Sequence, residues 1–356
     1  MHLINTPLFY LRRLPSIWQE LRERGASHIG VLACDPTVLF LRAGKRYDAL
    51  ILKCGTRPIT LLMSFYWALD EKWAASAAAE AARLEREYRN VKTVLLANDR
   101  REFDILTRTG ARCDLVNHAC FVDERIFHPP EMVSERPWDA VLDAQLAPFK
   151  RHELAAEIQR LALITYRYAP TRNREWERRV SPIIDRAHHF NRDGKRHYRF
   201  LSPEEVNRAY AKARCGLCLS AVEGPCKAGM QYLLAGLPVV STEATGGRWE
   251  YLPEGVSWRC GETPRSVAQA VGDAIASGVT PAEVRDLGLA ACRPHRERLI
   301  ERLAEAHRAE GKEFDAGRFW DDIFFNNLVS FQKFDTVASW VKTGEAPKRP
   351  KSIQGW

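Results

Sequence analysis

A glutamate, a lysine and a glutamine follow one short apolar run in Cys-Leu-Ser-Ala-Val-Glu-Gly-Pro-Cys-Lys-Ala-Gly-Met-Gln-Tyr-Leu-Leu-Ala-Gly-Leu-Pro-Val-Val-Ser-Thr, residues 218–242. Gly224 beside the Glu223 carboxylate permits close backbone approach, Lys227 adds a positive charge, and the Gln231 amide both donates and accepts hydrogen bonds. If the segment runs strand, small-residue loop, helix, strand, the helix N-terminus presents unpaired amides and a positive dipole end, which suits a diphosphate. Gly246 and Gly247, in Thr-Gly-Gly-Arg after the next strand, read alone as a tight turn. Coupled to the preceding motif they read as a second close backbone approach to the same ligand. Upstream, Gln145, Lys150 and Arg151 follow the apolar run 140–144, and the two cations taken alone would be a solvated surface pair.

These residues need a parallel α/β framework to bring them together, and the chain has its rhythm. Short apolar runs at 28–33, 47–53, 60–68, 92–97 and 113–119 read as strands, with helical composition at 74–89 and 101–110 between them. His-Pro-Pro-Glu-Met-Val-Ser-Glu-Arg-Pro after Phe127 opposes helix and interior strand alike, which places a linker there. A second alternation follows, with strands at 140–144, 161–166, 198–201, 216–221, 238–242 and 256–259. The helix after Ser202 carries a capping box with Glu205. The expected architecture is two doubly wound α/β domains, 1–130 and 131–318, with loops at the strand carboxyl ends facing a cleft. A C-terminal helical stretch within 319–356 is expected to pack back toward the first domain.

The order of these motifs resembles that of the retaining GT-B glycosyltransferase family four (glycosyl transferases group 1). In that family two glutamates are separated by seven intervening residues before a Gly-x-Pro-Val-Val strand; here Glu223 matches the first and Gln231 occupies the second position. By resemblance, Glu223 contacts the transferred sugar and residue 231 holds the ribose of the nucleotide. An arginine and, five residues on, a lysine neutralise the family's diphosphate leaving group. Lys150 fits the lysine, Gln145 stands at the arginine position, and Arg151 is the conjectured substitute for the missing charge. Residues 117–129, Asn-His-Ala-Cys-Phe-Val-Asp-Glu-Arg-Ile-Phe-His-Pro, resemble the family's Asn-Gly-Val-Asp-x-x-x-Phe-x-Pro, with Asp123 read as a turn cap.

The resemblance covers roughly residues 92–270. It implies a nucleotide diphosphate-sugar donor, no cofactor, and a glycan or lipid-linked acceptor in surface polysaccharide or glycoconjugate synthesis. The alternatives are a sugar-nucleotide epimerase, which product analysis separates from a transferase, and a non-catalytic nucleotide- or glycan-binding relative, motivated by the departures at Gln145 and Gln231.

A chain of 356 residues with 46% hydrophobic and 28% charged residues is ordinary for a two-domain globular protein. The formal charge of +8 favours an anionic partner, yet the basic residues are scattered and form no nucleic-acid recognition motif. No Asp-x-Asp motif accompanies the lysines, so a metal-independent site is expected. No secretion signal is apparent at 1–13, which implies a cytoplasmic protein whose nine cysteines are free. Cys215 and Cys218 form a lone Cys-x-x-Cys without a second half, read as part of a buried strand. Residues 8–24 have the pattern of a core-packed helix or of one lying on a membrane at the inner face. On the acceptor side, Asp70, His118 and Arg57, together with Lys53, lie near expected strand ends without matching any motif.

Overall fold

The structure, a computed structural model, describes residues 28–35, 38–44, 46–131, 135–167, 173–193, 197–320 and 331–344; the expected helix at 8–24 lies outside them. The described residues form two compact units, one made of 28–121 with 293–344 and the other of 122–292. The first division therefore falls a few residues before the proline-rich segment. The second lies inside a helix.

In the first unit, β1 (His28–Asp35) and β2 (Val38–Arg42) pair antiparallel, and β3 (Ile59–Ser64), β4 (Val91–Ala97) and β5 (Cys113–Leu115) continue from β2 in parallel. Helices α1 (Asp48–Cys54), α2 (Glu71–Glu87) and α3 (Arg100–Arg108) connect them. Residues 47–53, expected as a strand, form α1 instead. Leu50, Ile51 and Cys54 bury one helical face, with Asp48 in the first turn and Lys53 in the last. The strand belonging at this level is β2, five residues that the sequence reading passed over.

Strand alternation explains the second division. Leu39, Leu41, Leu61, Met63 and Leu95 point to a core with α1 to α3, whereas Val38, Phe40, Leu62, Val94 and Leu96 point to the opposite face. That opposite face is covered by Leu299, Leu303 and Phe319. Leu299 and Leu303 stand in the later part of a 29-residue helix, which for that reason belongs to the first unit, and Phe319 follows that helix.

The second unit contains β6 (Trp138–Asp143), β7 (Leu161–Ile164), α4 (Arg174–Arg186), the short strands β8 (His188–His189), β9 (Arg192–Asp193) and β10 (His197–Tyr198), and α5 (Pro203–Tyr210). It continues with β11 (Ala213–Cys218), α6 (Lys227–Leu234), β12 (Val239–Thr242), β13 (Ser257–Cys260) and α7 (Pro264–Ala276). The long helix α8 (Pro281–Ala309) follows and carries the chain through the division at 292/293. The expected capping box is formed: Ser202 accepts from the Glu205 amide, and Glu205 accepts from the Ser202 amide. The expected strand at 198–201 is reduced to the two-residue β10, with Phe200 exposed.

The sheet order is β13-β12-β11-β6-β7-β8, all parallel. From β6 the chain winds one way through β7 and β8 and then returns on the other side of β6 at β11. The switch point lies between β6 and β11.

Beyond 319, expected as one helical stretch, a strand interrupts the described residues. β14 (Phe331–Lys333) adds antiparallel to β1, and α9 (Phe334–Thr343) packs Val337, Ala338 and Val341 into the first core. Among the described residues, no helix is long and apolar enough to cross a membrane.

Candidate functional site

In a doubly wound sheet, ligands bind beyond the strand carboxyl ends at the switch point, because the connections there diverge to opposite faces and leave a crevice. The second unit has a cavity of about 230 Å³ at that place. Its polar lining includes Asp143 at the end of β6, Gln145 just after it, Lys150, Glu223 after β11, and Lys227 and Gln231 on α6. Five of the expected donor residues therefore converge, joined by an unexpected aspartate.

Lys150 ends the short 3₁₀ turn Pro148–Lys150 and reaches Glu223, with its ammonium on the carboxylate Oε1. Arg248, fully buried, brings Nη1 to 3.6 Å from Glu223 Oε2. Burial opposes ionisation of Glu223, but Lys150 and Arg248 outweigh it, and its pKa falls below the ordinary value. The carboxylate is thus held charged at neutral pH.

The backbone around Glu223 is clamped as well. Its amide donates to the Thr245 carbonyl at 3.0 Å, and the Thr245 amide donates to the Ala221 carbonyl at 2.9 Å. A Cβ on Gly246, whose φ is 125°, would overlap the Glu223 carbonyl oxygen, so only glycine lets the two loops close together. Arg248 Nη2 completes the clamp by donating to the carbonyls of Ser220 (2.9 Å) and Thr242 (3.0 Å).

Lys227 is the first residue of α6 and lines the cavity without an ion-pair partner among the described residues. Desolvation lowers its pKa to about 8. Asp143 on the same cavity lining is buried deeply enough to push its carboxyl up to about 6, opposed by a hydrogen bond from Tyr210 and by Lys150. Tyr210 Oη donates to Asp143 Oδ2 at 2.6 Å and lies 3.3 Å from Gln231 Oε1. The Asp143 amide donates to Tyr232 Oη at 2.7 Å, and the Tyr232 ring packs where a Cβ on Gly216 would stand. Gln231, Tyr210 and Asp143 thus form one polar chain at the cavity wall.

Other expected residues do different work. Arg151 is in the left-handed region at φ 50° and commits its guanidinium to the Leu219 carbonyl, to Thr242 Oγ1 (2.7 Å) and to Glu262 (2.7 Å). It braces the loops and does not supply the charge conjectured for it. Gly224, Gly246 and Gly247 lie behind Glu223 and are absent from the lining. In the first unit, Asp70 caps α2 by accepting from the Trp73 amide at 2.7 Å. Arg57 donates to the Val341 and Lys342 carbonyls at the end of α9, both at 2.8 Å. His118 is buried in a 3₁₀ turn with its ring 4.8 Å from that of Tyr66. All three are accounted for by capping and packing, and the acceptor side of the sequence reading gains no support from them. Asp123 accepts from the Arg125 amide at 2.9 Å, as a turn cap does.

The functional residues that sequence reasoning missed are Arg248 and Asp143. The Thr-Gly-Gly-Arg motif contained the first, but nothing local shows that its guanidinium turns inward. Asp143 ends β6 directly after the apolar Ala140-Val141-Leu142, the one available signal.

No protein-family model and no curated protein matches the chain. Solved structures do. HepE of Anabaena in complex with UDP superimposes with a TM-score of 0.53 at 14% identity, covering 76% of this chain and 79% of that one. Sucrose-phosphate synthase of Thermosynechococcus elongatus gives 0.50 at 17% identity, covering 70% and 68%. The pneumococcal O-GlcNAc transferase GtfA in complex with UDP and GlcNAc gives 0.51 at 11% identity, covering 77% and 57%. At such identities the shared property is the fold, the two-sheet α/β GT-B class expected from the motif order.

Proposed function

We propose that the protein is a glycosyltransferase that takes a sugar from a nucleoside diphosphate donor bound in the cavity of the second unit. The observation that carries this reading is the convergence of Lys150 and the unpaired Lys227 with the ionised Glu223 at the switch point of a doubly wound sheet. Two cations in a confined, partly desolvated space match a diphosphate and stabilise its departure, since charge interactions strengthen where water is excluded. HepE and GtfA, which share the fold, hold UDP in their structures, so UDP is the nucleotide to try first.

In this reading Gln231 holds the ribose with support from Tyr210, and Glu223 positions the transferred sugar. Transfer proceeds with retention and without a protein nucleophile, the leaving phosphate helping to deprotonate a glycan or lipid-linked acceptor. The work is done in the cytoplasm or at the inner membrane face. A thermal-shift series with nucleoside diphosphates and their sugars tests the reading, because a ligand of the folded state raises Tm by mass action. No shift with any of them up to millimolar concentration would reject it.

Three consequences are measurable. Turnover is expected to persist in EDTA, because the proposed charge neutralisation rests on lysines; loss in EDTA with recovery on adding magnesium or manganese would contradict that assignment. Gln231→Ala removes an interaction made equally in ground and transition states, so donor KM should rise with kcat nearly unchanged. Affinity for the diphosphate should also weaken with rising pH. Lys227 in the free protein loses its proton near pH 8, and the bound anion favours the protonated form. Isothermal titration should therefore show on the order of tenfold weaker binding at about pH 9 than at about pH 7, with proton uptake. In Lys227→Arg, whose charge does not titrate there, that slope should disappear.

A further inference from the structure

The Cys-x-x-Cys spacing singles out Cys215 and Cys218, but side chains in a strand alternate, so residues three apart lie on opposite faces. Cys215 belongs to the core packed by α4 and α7 and touches the Asp139 carbonyl at 3.3 Å. Cys218 faces the other way and meets Cys226, with 3.8 Å between the sulfurs. Both line the cavity that holds Lys150, Glu223 and Lys227.

Cys226 adopts φ 52°, a left-handed conformation unusual for a residue with a side chain, immediately before the first residue of α6. Its carbonyl accepts from Tyr251 Oη, which anchors this turn. The thiol also lies within hydrogen-bonding reach of the Glu223 carboxylate.

We propose that Cys218 and Cys226 form a peroxide-reactive dithiol at the wall of the cavity, closing to a reversible disulfide that excludes the nucleotide. The second half of this proposal rests on the donor-site reading; the first half does not.

The two thiols are electrostatically distinct. Contact with Cys218, together with the charges of Arg248 and Lys150, lowers the pKa of Cys226 against its burial and the neighbouring Glu223 carboxylate, whereas contact with Cys226 and burial raise that of Cys218. With hydrogen peroxide as oxidant, the Cys226 thiolate attacks one peroxide oxygen. The O–O bond breaks, the departing hydroxide takes up the proton that the thiol had released and leaves as water, and a sulfenic acid remains. Cys218 sulfur then attacks that sulfur, the S–O bond breaks, and a second water leaves. Two thiols and one peroxide become one disulfide and two waters.

The sulfurs need to approach by less than their present gap, since a disulfide bond is about 2 Å long. That movement takes the Cys226 thiol from Glu223 and draws the start of α6, with Lys227, toward the end of β11.

The test treats the full-length protein with hydrogen peroxide and then blocks remaining thiols. Trypsin cleavage after Arg214 and Lys227 yields one peptide with Cys215, Cys218 and Cys226. It is expected to have lost two hydrogens, and tandem mass spectrometry is expected to locate the bond between 218 and 226. Cys215→Ser should still form it, Cys218→Ser and Cys226→Ser should not, and dithiothreitol should reverse it. Cleavage of that peptide after Glu223 excludes a 215–218 bond, since the two fragments then stay joined until reduced, and Cys215→Ser excludes a 215–226 bond.

UDP affinity of the oxidised protein should fall at least tenfold and return on reduction. Absence of the 218–226 bond while other thiols oxidise would overturn the site. A bond formed with UDP affinity unchanged would overturn its control of binding. If the bond forms but the reduced protein binds no nucleotide, the dithiol stands as a modification site and the donor-site reading falls.

Discussion

Lys150→Met is expected to lower kcat by about a hundredfold or more, in the range found when a single preorganised charge is removed from a reacting site. Lys150 is the cation on the Glu223 carboxylate and lines the cavity where the leaving diphosphate would gather charge. Met keeps much of the stem but cannot neutralise anything, so the effect should fall on kcat more than on donor KM. The same change leaves a buried carboxylate with Arg248 as its remaining cation, at 3.6 Å. Breaking a buried pair from one side costs about 3–5 kcal/mol. The double variant Lys150→Met, Glu223→Gln should therefore recover part of the lost stability and none of the lost turnover. Steady-state kinetics beside chemical denaturation separates these outcomes, and near-normal turnover in folded Lys150→Met would remove the lysine from the mechanism.

Arg248→Met should give the largest loss of stability. The guanidinium is fully buried and holds two backbone carbonyls, Ser220 and Thr242, as well as facing Glu223. Methionine offers no donor to either carbonyl. Two hydrogen bonds from a charged donor, each contributing about 1.5–3 kcal/mol, are lost together with an ion pair. A fall of about 10 °C in Tm follows for a unit of this size. Calorimetry on the variant would measure it directly. A change within a degree or two would mean that the clamp on the Glu223 loop is held by Gly246 and the Thr245 hydrogen bonds alone.

Much of the site was legible because it is local. Glu223, Lys227 and Gln231 occupy one strand-loop-helix passage, and strand-to-helix geometry fixes where their side chains point. Lys150 was legible for the same reason after β6. The two arginines were not. Arg151 and Arg248 both follow strands beside small or turn-forming residues, and which one turns toward Glu223 is decided by the left-handed φ at Arg151 and by the closure of the Gly246 loop. Neither is encoded at short range.

The fold shows the same split. The parallel alternation and the Ser202 cap follow from local pattern, whereas Tyr47–Lys53 reads as a strand because a short apolar run has no periodicity to distinguish it from a buried helix. The pairing of Cys226 with Cys218, rather than Cys215 with Cys218, needs the strand's face and the helix start together. The first 90 residues carry no recognisable acceptor chemistry, and the structure assigns the candidates there to caps and packing.

Because residues 122–292 interrupt the first unit along the chain, the ribosome completes the second sheet while the first is still waiting for its last pieces. Val38, Phe40, Leu62, Val94 and Leu96 then present an uncovered apolar face, and β1 an unpaired edge, until Leu299, Leu303, Phe319 and β14 emerge. At about 10 residues per second that interval lasts roughly five seconds, long enough for a nascent chain to recruit a chaperone or to associate with its neighbours on a polysome. A premature stop just after Cys292 would release a protein with one finished sheet and one permanently open one, aggregation-prone through its first unit while still presenting the cavity in its second.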